Sequence, residues 1–200
     1  MATILSNPTI ERRYFDSNFE VRKMDDGKHR VCGYALRFGV SYDMGWFTEE
    51  ISRTALDNAD MTDVRILFNH DPNQILGRTS AGTATVRVDD NGLWYEAELP
   101  NSPNGENVRV ALERGDVTQS SWGFMLRYDD NTQGDLWQRK NGKDHRTITD
   151  VSAVFDASPV TFPANPETSA AKRSYDQVLK HEQKLKSKTA EIDCILALHQ

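Results

Sequence analysis

A single histidine, His70, follows an apolar run in the segment LFNHDPNQILGRT, residues 67–79. An imidazole changes charge near neutral pH and can act as a general base, a metal ligand or a structural hydrogen-bonding group. The segment by itself does not separate these three roles. A catalytic assignment therefore requires partners from elsewhere in the chain.

A serine nucleophile is offered by the segment GDVTQSSWGFML, residues 115–126, which alternates in the manner of a β-strand. Ser121 and Trp122 then point to opposite faces of the strand. A nucleophilic serine needs an adjacent base, and the base needs an orienting group. Ser121, His70 and Asp156 form such a set if folding brings them together. Gly123, beside the serine, would allow another chain such as a substrate to approach closely.

Metal and disulfide chemistry have little support in this sequence. The spacing of the other histidines is neither HxH nor HExxH; they are His29, His145, His181 and His199. Cys32 and Cys194 lie far apart, and neither belongs to a CxxC pair, so we expect two reduced thiols. The sequence therefore predicts no cofactor and no metal.

The composition is typical of one soluble domain with an appendage. The 200 residues carry a net charge of −6, which disfavours a protein whose main task is to bind nucleic acid. No apolar run reaches the roughly 18 residues of a membrane span, and the opening MATILSNPTIERRYF lacks the apolar segment of a signal peptide. We therefore expect a cytoplasmic protein with no nucleic-acid partner and no membrane partner.

The elements that must position these side chains are mostly β-strands. Residues 19–40 and 82–100 place strand-like runs around Asp-Asp-Gly-Lys and Asp-Asp-Asn-Gly, two turn compositions typical of hairpins. Residues 64–70, 120–128 and 148–162 predict further strands. His70 is thus expected at the end of one strand, while Ser121 and Asp156 are expected within two others.

Helices are predicted to be fewer. SRTALDNA, residues 52–59, and SPNGENVRVALERGD, residues 102–116, carry helix-start residues, with Ser102 as the N-cap of the second and Pro103 in its first turn. After residue 162, a linker rich in Pro, Ala and Ser precedes a weakly amphipathic C-terminal helix. We therefore divide the chain into a domain at residues 1–167 and a linker with a helical tail at residues 168–200. The helix either docks on its own body or mediates partner binding or self-association.

Several segments together resemble the tailed-bacteriophage prohead, or capsid maturation, protease family. In chain order they are Asn-His-Asp at 69–71, Leu-Gly-Arg-Thr at 76–79, the Gly-Thr hairpin from 82, Arg-Gly-Asp at 114–116, Ser-Trp-Gly-Phe at 121–124 and Val-Thr-Phe-Pro-Ala-Asn-Pro at 160–166. Residues 33–40 and 45–56 resemble the opening of the family. The shared order of several separate motifs, from about residue 30 to residue 167, makes the resemblance specific.

This resemblance implies a serine endopeptidase related in fold to the herpesvirus assemblins. That fold class is α+β, with a small, mostly antiparallel β-barrel-like domain flanked by helices. The resemblance makes His70 the base and Ser121 the nucleophile. It also implies that the substrates are the scaffolding protein, or a scaffolding segment of the major capsid protein, and the chain itself. The place of action would be the assembling procapsid in the host cytoplasm.

The third member of the catalytic set is less uniform. The family usually carries a glutamate at the position of Asp156, and aspartate keeps the carboxylate but shortens its reach by one methylene. His145 is the alternative, since the herpesvirus relatives use a second histidine in that role. We favour Asp156 because it lies in a strand-like run, whereas His145 lies in the polar, turn-like segment RKNGKDHRT.

Two rival functions stay open. The chain could be a non-enzymatic capsid-assembly or scaffolding protein with the same fold, or a metal-dependent hydrolase centred on His70 and Asp71. Arg78 and Arg114 could support a catalytic site electrostatically, but we expect structural roles for both at a strand end and a turn.

Overall fold

The computed structural model describes residues 10–129, 132–162, 171–180 and 183. Within them one α-helix is bounded at both ends, α1 (Pro103–Glu113), and a short 3-10 helix spans Thr79–Ala81. The strands are β1 (Glu11–Asp16), β2 (Glu20–Lys23), β3 (His29–Arg37), β4 (Ser41–Asp43), β5 (Phe47–Ile51), β6 (Arg65–Phe68), β7 (Asp71–Arg78), β8 (Ala84–Asp89), β9 (Gly92–Glu98), β10 (Gln119–Leu126), β11 (Asp135–Lys140), β12 (Lys143–Ile148) and β13 (Val151–Val160).

The chain divides into two compact units, Met1–Pro166 and Glu167–Gln200. The first contains all of the strands named above together with α1. In the second, residues 171–180 are helical. The rest of the predicted C-terminal helix, and most of the predicted linker, lie outside the described residues.

Both predicted hairpins are confirmed. β2 pairs with β3 around residues 24–28, and β8 pairs with β9 around Asp90 and Asn91. The turns close through aspartate side chains, as Asp26 Oδ1 accepts from Lys28 N at 3.0 Å and Asp89 Oδ1 accepts from Asn91 N at 2.8 Å. Such local side-chain to backbone bonds are the reason why aspartate favours turns.

The strands form three sheets, in the orders β1-β10-β13-β6-β7, β11-β12-β5-β4 and β2-β3-β9-β8. Most ladders are antiparallel as expected, but β12 pairs with β5 and β13 pairs with β6 in parallel. The expected β-barrel-like closure is wrong for the described strands. β1 and β7, which end the five-stranded sheet, share no ladder, so this sheet stays open at both edges.

One of the two predicted internal helices is confirmed. Ser102 caps α1, and its side chain accepts from the backbone N of Gly105 at 3.3 Å. Residues 53–58 are turns instead of the helix predicted from SRTALDNA. Their backbone bonds join residues three apart, as in Ala55 N to Ser52 O at 3.1 Å, and Ala55 and Leu56 are buried in the core. Burial of two adjacent side chains therefore outweighs the weak helix-start signal.

The core lies around the central strands of the five-stranded sheet. Trp122 and Phe124 of β10 are buried and stack with ring centroids 4.0 Å apart. Tyr95 of β9 and Leu36 of β3 are also fully buried and belong to the same cluster. Packing on this side fixes β10 rigidly, so the residues on its opposite face have a firm support.

Candidate active site

The candidate nucleophile lies on the middle of a sheet. β10 is flanked by β1 and β13, with Tyr14 opposite Ser121 on one side and Ser158 opposite Ser121 on the other. Gly123 lies opposite Asp156. Because directly paired residues project from the same face of a sheet, Ser121, Asp156 and Ser158 share one face.

His70 reaches this face from the turn between β6 and β7. Phe68 pairs with Asp71, so Asn69 and His70 form a two-residue turn, and both have positive φ, at 55° and 57°. Two positive φ values at the central positions are typical of the hairpin turn whose twist matches its strands. Asn69 anchors the turn, because its N donates to Pro159 O at 3.0 Å and its Oδ1 accepts from Thr161 N at 2.8 Å.

The three predicted side chains meet in one hydrogen-bonded chain. His70 Nδ1 lies 2.5 Å from Asp156 Oδ1, and His70 Nε2 lies 2.7 Å from Ser121 Oγ. An ionised carboxylate can only accept, so Nδ1 carries the proton in the neutral ring and Nε2 is free to accept from the serine hydroxyl. This tautomer is the one that general-base activation of a serine requires.

All three side chains are shielded from solvent. Ser121 is 1% exposed, and the side chains of His70 and Asp156 are 11% and 8% exposed. Hydrogen bonds in such surroundings are electrostatically stronger than in water.

Gly123 has a different role from the one suggested by the sequence. A Cβ atom built on Gly123 would lie 2.5 Å from Asp156 Oδ2, closer than real Cβ atoms approach other atoms. The space above this glycine is therefore taken by the carboxylate of the chain itself and not by a substrate. Any larger residue would displace Asp156 from His70.

Two polar residues of the site were missed in the sequence. Ser158 Oγ donates to Asp156 Oδ1 at 2.9 Å and lies 3.3 Å from His70 Nδ1. The spacing of two residues on a strand puts Ser158 on the same face as Asp156, and this was the available signal. Asn69 is adjacent to His70 in the sequence, but its anchoring bonds depend on the end of β13, which the sequence does not place.

The other candidates lie apart from this cluster. His145 belongs to β12 in another sheet, and its Nδ1 lies 2.7 Å from Thr48 Oγ1. It is 2% exposed and belongs to a strand, so the expectation that His145 lies in a polar turn is wrong. The carboxylate of Asp71, the first residue of β7, accepts from Asn73 N at 2.9 Å.

Both arginines from the quoted motifs have structural partners, as expected. Arg78 makes two bonds to Asp63, Nε to Oδ1 at 2.6 Å and Nη2 to Oδ2 at 2.7 Å. Arg114 pairs with Asp116 at 3.2 Å, and its side chain is 69% exposed. Neither contact involves the Ser121 cluster.

In the part of the chain that the structure describes, no group of three or more His, Cys, Asp or Glu residues is arranged to hold a metal ion. The same residues contain no helix that is both long enough and apolar enough to span a membrane.

A serine, a histidine and a carboxylate are joined here in the order that serine hydrolases use. Comparison with known proteins gives the family: the chain belongs to the caudovirus prohead serine proteases, whose family pattern matches residues 17–181. A solved structure of the bacteriophage T4 capsid assembly protease, gp21, is similar at a TM-score of 0.46 and 10% sequence identity, over 76% of this chain and 99% of that chain. No curated protein matches the chain.

Proposed function

We propose that this chain is a serine endopeptidase that cleaves the scaffolding protein, or a scaffolding segment of the major capsid protein, within the assembling procapsid in the host cell. The observation that carries the proposal is the hydrogen-bonded chain from Ser121 through His70 to Asp156. Membership of the prohead serine protease family supports the choice of substrates.

The chemistry follows from the order of the three groups. As Ser121 Oγ attacks the scissile carbonyl carbon, its proton passes to His70 Nε2. The resulting imidazolium is stabilised by Asp156, which holds Nδ1–H. The C–N bond then breaks as Nε2 returns the proton to the leaving amine, and water hydrolyses the acyl-enzyme by the same steps in reverse.

A groove along β1, which pairs with the strand of Ser121, has the shape for an extended peptide, although Ser121, His70 and Asp156 are not among its lining residues. A cavity of about 520 Å³ lies between β1 and β4, and Tyr14, Ser41 and Gln119 are among its lining residues. β1 and β4 are edge strands of their sheets. Ser17 N donates to Thr118 O, so these two residues form a hydrogen-bonded pair at the end of the β1–β10 ladder. Hydrogen-bonded and non-hydrogen-bonded pairs alternate along an antiparallel ladder. The backbone groups of Tyr14, three residues before Ser17, therefore point away from β10 and toward the open edge. Sheet edges that no other described strand covers, such as these, can bind extended chains through main-chain hydrogen bonds.

Self-processing tests the proposal without knowledge of the natural substrate. We expect the purified protein, incubated at high concentration, to shorten itself between residue 165 and the end of the chain, because the linker NPETSAAKRS, which begins at residue 165, is rich in small residues and lacks a core-forming pattern. Mass spectrometry would locate the new ends. Fragments that begin inside residues 64–128 would contradict a folded protease domain.

Two neighbouring serines provide matched variants for this experiment. Ser121→Ala should abolish shortening and leave the fold intact. Ser120→Ala should retain most activity, because Ser120 faces the core, where its Oγ lies 3.5 Å from the hydroxyl of Tyr95. Shortening by the Ser121→Ala protein would overturn the proposal. A folded wild-type protein that cleaves neither itself nor capsid proteins would favour the non-enzymatic assembly protein.

A further inference from the structure

A fourth polar side chain, Ser158, contacts the candidate triad. Ser158 lies on β13 two residues after Asp156, directly opposite Ser121 across the ladder, and is fully buried. Its Oγ donates to Asp156 Oδ1 at 2.9 Å. This is the same carboxylate oxygen that lies 2.5 Å from His70 Nδ1.

The carboxylate of an aspartate needs such a restraint. Rotation about the bond between Cβ and the carboxylate carbon has only broad minima, so the side chain does not fix its own oxygen positions. Two hydrogen bonds to Asp156 Oδ1, from His70 and from Ser158, favour one orientation. On the other side, Oδ2 occupies the space left by the missing side chain of Gly123. The carboxylate is therefore constrained at both oxygens.

We propose that Ser158 is a positioning residue, which holds the Asp156 carboxylate at the orientation where it accepts the Nδ1 proton of His70. The inference rests on the proposed function in so far as Ser121, His70 and Asp156 are the triad. Ser158 acts only through Asp156 and does not contact the scissile bond. Ser158 Oγ also lies 3.3 Å from His70 Nδ1. The Nδ1 proton therefore has Ser158 Oγ as a second, weaker acceptor, while its shorter hydrogen bond is to Asp156.

Kinetics of Ser158→Ala separate positioning from general stability. We expect kcat to fall about tenfold, the size expected for a lost hydrogen bond to a charged group, with KM little changed. In an Asp156→Asn background the same substitution should change kcat less than about twofold, because the group through which Ser158 acts is already altered. Ser152→Ala is the matched control, since Ser152 lies on the same strand and donates to Met125 O at 3.0 Å. It should behave as wild type.

A proton NMR measurement gives a readout that does not depend on activity. The Nδ1 proton of His70, in its short bond to Asp156, should appear far downfield in the wild-type protein and disappear in His70→Ala. Ser158→Ala should shift or broaden this signal, and Ser152→Ala should leave it in place.

The outcomes distinguish the two claims. Unchanged kcat together with an unchanged signal in Ser158→Ala would overturn the positioning role and leave the proposed function intact. Equal losses in the wild-type and Asp156→Asn backgrounds would also overturn it. If Ser121→Ala stayed active, the proposed function would fall, and the NMR signal would still decide whether Ser158 holds Asp156.

Discussion

The carboxylate of Asp156 contacts His70 directly, although the chain resembles a family that usually carries the longer glutamate at this position. The contact at 2.5 Å leaves no room for a bridging water. Gly123 explains how a shorter side chain suffices, because Asp156 Oδ2 takes the space that any Cβ would fill. The glycine and the aspartate therefore fit each other as a pair.

This geometry predicts which of two substitutions harms catalysis. Asp156→Asn should lower peptide cleavage by at least about tenfold, a barrier increase of about 1.4 kcal/mol. The upper limit for this loss of activity is on the order of 10⁴-fold, which is the cost of removing the orienting carboxylate in Ser-His-Asp proteases. His145→Ala should change cleavage little, since His145 lies 2.7 Å from Thr48 in another sheet.

Steady-state cleavage of a peptide by the two variants, with folding checked by circular dichroism, is the measurement. The reverse order of effects would make Asp156 a structural carboxylate and His145 the orienting group.

At this scale the residue types were predictable, but not all of their contacts. Serine catalysis demands these three chemical types, but it was the resemblance to the prohead protease motifs that singled out Ser121, His70 and Asp156 among the serines, histidines and carboxylates of the chain. Ser158 was missed although its spacing of two residues from Asp156 on a strand was a signal. Asn69 could not be predicted, because its partner Thr161 lies 92 residues away at the end of β13.

The element that determines the position of His70 is the turn between β6 and β7. Asn69 and His70 both adopt positive φ, which costs energy for residues other than glycine, and asparagine and histidine tolerate it better than most. The cost is offset by the bonds of Asn69 to Pro159 and Thr161 at the end of β13. The turn thus brings His70 to the strand that carries Asp156.

Two hairpins were predictable because their Asp-rich turns signalled them, β2 with β3 and β8 with β9. β6 with β7 and β11 with β12 are also joined by two-residue turns, but these hairpins were not predicted. β1, β5 and β12 were not predicted, because polar and charged residues interrupt their apolar pattern. Glu11 and Arg13 of β1 are buried, whereas a charged residue in a strand usually marks the face that is exposed to solvent.

Those buried charges belong to an ionic cluster that connects two sheets. Its members are Glu11 and Arg13 of β1, Glu49 of β5, Asp135 of β11 and Arg146 of β12, and all are at most 4% exposed. Arg146 Nη1 donates to Glu11 at 2.8 Å and to Glu49 at 3.0 Å. The cluster therefore joins the sheet of the candidate nucleophile to the sheet that contains His145.

Acid should weaken this connection through Glu11. Burial alone would raise the pKa of Glu11, but hydrogen bonds and charges from Arg146 and Arg13 outweigh it and lower the pKa from 4.5 to about 2. Because the pKa of Glu11 is lower in the folded protein than in the unfolded chain, ionised Glu11 stabilises the fold. This contribution is complete above pH 4.5 and is lost as the pH falls toward 2. The stabilisation is on the order of 3 kcal/mol for a shift of this size.

We therefore expect Glu11→Gln to lower the free energy of unfolding at pH 7, and the difference from wild type to shrink as the pH falls from 4.5 to 2. Urea unfolding across this range measures both effects. Glu20→Gln is the control, because Glu20 pairs with Arg22 at the surface and should matter little. A difference between Glu11→Gln and wild type that stays constant with pH would contradict the account.

Chemical labelling of the intact, folded protein tests directly whether Ser121 is an activated nucleophile. A small fluorophosphonate reagent reacts with a serine hydroxyl only where a neighbouring base removes the proton during attack. We predict that peptide mapping after labelling finds the phosphonyl group on Ser121 and not on Ser120, with labelling abolished in Ser121→Ala and strongly slowed in His70→Ala. A folded protein that stays unlabelled, or that carries the label on another serine while Ser121 is unmodified, would contradict the central claim.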